Sequence, residues 1–231
     1  MDTRAVLVFD IETIGISFEK LDAQSQEFLL KYAQDDEEKK EAKERTALYP
    51  LTGEVIVIGL LNPATGKGKI LARNDSGVAL LETIGDFDVI GGTEKEILQT
   101  FWHLIQSYQT FVTFNGRSFD VPYLMIRSAI CGIVPSKNLL SNRYVGSQTY
   151  GAQHIDLADQ LGFYGAMRKG FNLHMWAKAF GIKSPKEGNI HGEDVTPLYY
   201  EGKIVDIMKY NIGDVRATAE LYERWEKCLN I

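Results

Sequence analysis

The chain has 231 residues, 45% of them hydrophobic, enough for one substantial core, and its net charge of −6 argues against a protein that coats nucleic acid by general phosphate attraction. Two cysteines, Cys131 and Cys228, neither build a disulfide framework nor show zinc-site spacing, and no apolar run reaches the roughly 18 residues of a membrane span. A cytoplasmic protein with a single domain over residues 1–231 is expected.

The first element is "VLVFDIETIG", residues 6–15, a buried-strand pattern that carries Asp10 and Glu12. Residues two apart on a strand share a face, so the two carboxylates stand side by side at the edge of an apolar core. That placement is unfavourable unless both reach water or a cation compensates, and a hard divalent cation such as Mg²⁺ or Mn²⁺ suits carboxylate oxygens. A polar stretch over about 17–49 follows, with Asp36/Lys40 and Glu41/Arg45 one turn apart, and reads as one or two exposed helices ended by Pro50. "GEVIVIGLLNPATGKGKILARN" gives two strands joined by a Pro/Gly turn, and "TEKEILQTFWHLIQSYQ" an amphipathic helix opened by Thr93 with capping chemistry.

"TFVTF" is the next short strand, "NGRSF" a loop, and "DVPYLMIRSAICG" a helix with Asp120 at its start and Pro122 in its first turn. Loops and helices then alternate, through "QHIDLADQLGFYG", "NLHMWAKAFGI" and "GEDVTPLYYEG", to a long final helix, "KIVDIMKYNIGDVRATAELYERWEKCL", on which Tyr210 and Asp214 share a face. His154, His174 and His191 fit no zinc spacing and are expected to be structural. Residues 117–186 hold nine basic residues against three acidic ones, which suits a partner with localised negative charge as well as it suits a solvated face. Early strands among helices predict an α/β fold, a mixed sheet flanked by helices.

"FDIET", "FNGRSFDVPYL" and "YNIGD", in that order, resemble the three motifs of the DEDD family of 3′-5′ exonucleases, in its tyrosine subclass, within the ribonuclease H-like superfamily. The likeness extends to "HIDLADQLGFYG" and "NLHMWAKAFGIKSPKEGNIHGEDV", and is greatest with stand-alone bacterial proteins similar to the proofreading exonuclease of family B DNA polymerases. It implies a five- to six-stranded ribonuclease H-like sheet, with the acidic helical stretch as an insertion and with no polymerase domain. It further implies two Mg²⁺ or Mn²⁺ ions held by Asp10, Glu12, Asp120 and Asp214, with Tyr210 orienting the attacking water. Thr13, Asn115, Phe119 and Lys178 are implied contacts to nucleic acid, and Arg168, Lys169, Lys183 and Lys186 further candidates for phosphate. By elementary packing, with an aromatic beside a helix start usually turned inward, Phe119 is more readily a core residue than a nucleic-acid contact. The implied activity is release of mononucleotides from single-stranded DNA 3′ ends, as in DNA repair; RNA ends, or a noncatalytic nucleic-acid-binding module, are the alternatives. Asn211 departs from the pattern, since relatives often carry cysteine there.

Overall fold

A computed structural model describes residues 6–75, 80–183 and 190–230; Lys186 lies outside them. Strand β1 (Val6–Gly15) is followed by helices α1 (Ala23–Leu30) and α2 (Asp36–Glu44), strands β2 (Gly53–Leu61), β3 (Gly68–Arg73), β4 (Thr83–Ile84) and β5 (Phe87–Gly92), and helix α3 (Glu94–Leu104). Then come β6 (Thr110–Thr113), α4 (Asp120–Ile130), β7 (Gln153–Asp156), α5 (Leu157–Leu161), α6 (Leu173–Ala179), α7 (Val195–Tyr200) and α8 (Ile204–Cys228). The sheet order is β4-β5-β3-β2-β1-β6-β7. Strand β1 pairs antiparallel with β2 and parallel with β6, which pairs parallel with β7.

The expected mixed α/β sheet is present, but among the described residues it has seven strands rather than five or six. The sequence reading passed over β4, β5 and β7. "FDVIGG" carries an aspartate and two glycines, and "QHID" is four mostly polar residues; both are strands because neighbouring backbone pairs with them, which local propensity does not record.

Alternation along β1 divides the core. Leu7, Phe9 and Ile11 pack with Ile97, Phe101, Val121 and Leu124 under α3 and α4. Val6, Val8 and Ile14 face the other way, onto Ile207, Met208, Ile212 and Val215 of α8. Asp10 and Glu12 lie in the second row, between Val8 and Ile14. Buried residues of α8 recur at helical spacing, so one face of this 25-residue helix covers the sheet where the acids emerge.

Helix α3 starts with the expected capping box between Thr93 and Glu96. A buried ion pair ties it to α4: Arg127 Nε donates to Glu94 Oε1 at 2.9 Å and Nη2 to Oε2 at 2.6 Å, while Glu94 also accepts from the Val55 amide. Removing one partner would strand a buried charge. Arg127→Ala is therefore expected to cost about 3–5 kcal/mol, read from the urea midpoint.

The insertion is helical as expected, with Asp22 and Asp35 as N-caps and no buried residue in either helix. Glu41 pairs with Arg45, but Asp36 pairs with Lys39 at i+3 instead of Lys40, which reaches towards Glu44. A 3-10 turn over Arg45–Leu48 anchors it, since the Ala47 carbonyl accepts from Thr13 Oγ1 at 2.8 Å and from Tyr123 Oη at 3.1 Å. Among the described residues no helix is long and apolar enough to cross a membrane.

Candidate active site and metal centre

The final helix brings Asp214 over the acids of β1. Ligand oxygens of Asp10, Glu12 and Asp214 all lie within 4.8 Å of one another. Asp120, first residue of α4, approaches from the parallel neighbour β6: its Oδ1 accepts the backbone N–H of Ile11, the residue between Asp10 and Glu12, at 3.0 Å. Three of the four acids expected to act together share one cluster, and Asp120 stands outside it, at its side, held by a backbone hydrogen bond.

Their proximity is unfavourable without a counter-charge. Burial, then Asp120, Asp214 and Glu12, hold the Asp10 carboxyl well above the usual range. Glu12 is raised by burial and Asp214, and lowered by the Asn211 amide. Burial pushes Asp120 up to about 7 against the backbone N–H groups that favour its charge. Clustered, desolvated carboxylates of this kind match a hard divalent cation, and Asp10, Glu12 and Asp214 are the residues that would hold it.

Tyr210 lies one turn before Asp214, close enough for that carboxylate's charge to act on its hydroxyl. Burial and then the charges of Asp214, Glu12 and Asp10 push its ionisation above the ordinary phenol range, so it remains a neutral hydrogen-bonding group at physiological pH.

Asn211 is a site residue that the sequence reading noted only as a departure. It is fully buried, and its Nδ2 donates to Asp10 Oδ2 at 2.8 Å and to Glu12 Oε1 at 3.3 Å. A cysteine has no amide to bridge two carboxylates in this way. Room for Asn211 comes from Gly59, the cross-strand partner of Asp10: a Cβ there would run into Asn211 Oδ1 and lie 2.9 Å from Val215 Cγ2. Gly59→Ala is expected to destabilise the protein by about 1–3 kcal/mol through overpacking and to weaken Mn²⁺ binding by displacing Asn211. Asn211→Ala in the same chain should recover much of the lost melting temperature.

Asp156 is the second residue missed. Its carboxylate accepts from the amides of Asn115 (2.8 Å), Arg117 (2.9 Å) and Ala158 (2.9 Å), so it caps α5 and fixes the loop leading to Asp120. Asn115 is exposed at the top of that loop with φ 63°, a left-handed conformation that asparagine tolerates. Phe119 is half-buried, its ring 5.4 Å from that of Tyr123. Thr13 is buried with its hydroxyl engaged by Ala47, and Lys178 is exposed on α6. His154 is structural, as expected: Nδ1 donates to the Leu139 carbonyl, Nε2 meets Thr113 Oγ1, and burial lowers its pKa to about 3.

A family model described as a predicted 3′-5′ exonuclease related to the exonuclease domain of PolB matches residues 69–229. That span includes Asp120, Tyr210 and Asp214 and begins beyond Asp10 and Glu12. A DNA polymerase of Desulfurococcus sp. (strain Tok) is 27% identical over 147 residues, covering 56% of this chain and 18% of the polymerase. The family B DNA polymerase from the hyperthermophilic archaeon Pyrobaculum calidifontis superimposes with a TM-score of 0.61 at 19% identity, over 96% of this chain and 24% of its own, a likeness of fold.

Proposed function

The chain belongs to the family of predicted 3′-5′ exonucleases related to the exonuclease domain of PolB, and on that premise we propose that it hydrolyses the terminal phosphodiester of single-stranded DNA from the 3′ end, using two Mg²⁺ or Mn²⁺ ions. The observation that carries this reading is the meeting of Asp10 and Glu12 with Asp214 within 4.8 Å, since the matched span does not include the first two. When bound, divalent cations supply an activated water and stabilise charge on the scissile phosphate. Asp10, Glu12 and Asp214 would hold them, with Asp120 completing the set.

The remaining work falls to this chain's own groups. Water attacks phosphorus, the bond to the 3′ oxygen of the penultimate nucleotide breaks, and a nucleoside 5′-monophosphate leaves. Tyr210, kept protonated by burial and then by its acidic neighbours, orients the water through its hydroxyl and does not serve as the base. Asn115 and Phe119, on the loop fixed by Asp156, meet the terminal nucleotides, Phe119 with the exposed part of its ring. Thr13, its hydroxyl held by Ala47, acts by fixing the insertion beside the site. Lys178 supplies positive charge on α6 towards the phosphates.

The test is digestion of 5′-labelled single-stranded DNA, duplex DNA and RNA with and without Mn²⁺. A metal-dependent ladder shortening from the 3′ end of single-stranded DNA is expected. Undiminished digestion by a pure Asp10→Ala protein would contradict the assignment.

A further inference from the structure

Beyond the loop that carries Asn115 and Phe119, the surface presents aromatic rings and cations that serve no core. Tyr144 and Phe163 are each 56% exposed. The Tyr164 ring lies 4.8 Å from Tyr144 and tilted 54° to it, the Arg143 guanidinium lies 5.9 Å from the same ring, and Gln160 Nε2 donates to the Tyr164 hydroxyl at 2.7 Å. Phe163 and Tyr164 both have positive φ, 47° and 55°, followed by Gly165 at 99°. Two successive non-glycine residues in the left-handed region are costly and need surrounding contacts to hold them.

This surface is continuous with the proposed strand-end site. Asp156 fixes the amides of Asn115 and Arg117, and Arg117 reaches Asp159 of α5 at 4.0 Å. Arg143 grips the same Asp159 at 3.1 Å and lies by Tyr164. Two arginines on one aspartate leave the group positive, and exposed Arg168 and Lys169 on the following loop add to it. The surface belongs to the net-basic stretch, residues 117–186, of an acidic chain.

Resting on the exonuclease reading, we propose that Arg143, Tyr144, Phe163 and Tyr164, with Arg168 and Lys169, form a stacking platform for the single strand lying 5′ of the nucleotides being cleaved. Exposed rings interleaved with guanidinium and ammonium groups match what an unpaired strand offers, base faces to stack on rings and phosphates to pair with cations. A partner with a basic surface would be repelled there.

The test measures binding of 5′-labelled oligo-dT, from about 3 to about 15 nucleotides, to Asp10→Ala protein in metal-free buffer, alone and with Tyr144→Ala, Phe163→Ala or Tyr144→Phe added. Each alanine is expected to weaken binding of the longest oligomer about five- to tenfold, with a loss that shrinks as the oligomer shortens. Tyr144→Phe should retain affinity, because the ring is what stacks. Abasic sites in the 5′ part of the oligomer should weaken binding to the Asp10→Ala parent and remove the effect of the alanines. Unchanged affinity in both alanine proteins, a loss independent of length, or Tyr144→Phe as weak as Tyr144→Ala overturns the platform. If wild-type protein digests oligo-dT and the alanines change nothing, the platform alone fails. If the length-dependent losses appear and wild-type protein digests nothing, the exonuclease reading fails and the platform stands.

Discussion

Asp10→Asn protein is expected to lose on the order of a thousandfold or more of its nuclease activity and yet, in metal-free buffer at pH 8, to unfold at a higher temperature than wild type. Asp10 is surrounded by Glu12, Asp120 and Asp214, and its desolvation is the largest influence on it. Against these stands one Asn211 amide, shared with Glu12. Replacing the carboxylate by an amide of the same shape removes the repulsion without opening a cavity. A gain of about 1–2 kcal/mol corresponds to a few degrees in a domain of this size. Saturating Mn²⁺ should reverse the order, raising the wild-type melting temperature above that of the variant. A variant less stable than wild type in metal-free buffer would mean that Asp10 is held by favourable contacts and that the acids serve the fold.

The second large effect is on the pH dependence of stability. Unfolded carboxyl groups titrate near pH 4, whereas Asp120 in the folded protein titrates at about 7, and Asp10 and Glu12 are also raised. Between these limits the folded chain binds more protons than the unfolded one. The contribution of these groups is therefore fully present below about pH 4 and is lost as pH rises towards 7, at about 1.4 kcal/mol per proton per pH unit. Divalent cations displace those protons, so the rise in melting temperature on adding Mn²⁺ should grow steadily from about pH 5 to 8. Scanning calorimetry over that range, with Mn²⁺ and with chelator, measures it. A rise that is flat in pH would show that these carboxyls are already ionised in the metal-free fold.

Much of this site was legible because its elements are written locally. Acids two apart on an apolar strand must share a face, Asp120 opens a helix ahead of Pro122, and the spacing of four from Tyr210 to Asp214 makes one helix turn. The observed geometry agrees with each. Asn211, Gly59 and Asp156 were not assigned because their roles arise only across the fold. A glycine in "VIVIGLL" looks like a weak point in a strand until α8 crosses it, and its absent side chain turns out to be the space that Asn211 fills. Asp156 closes a short, polar strand whose burial depends on β6 and on the Leu139 carbonyl that accepts from His154, neither of which is visible in "QHID".

Calorimetric titration of the wild-type protein with Mn²⁺ at pH 8, beside Asp214→Ala, tests most directly whether the gathered carboxylates form a metal centre. Two ions per wild-type chain are expected, with the Asp214→Ala chain binding fewer or far more weakly while keeping a cooperative melting transition. Wild-type protein that takes up no Mn²⁺, or a variant that binds it with the same stoichiometry and affinity, would contradict the account.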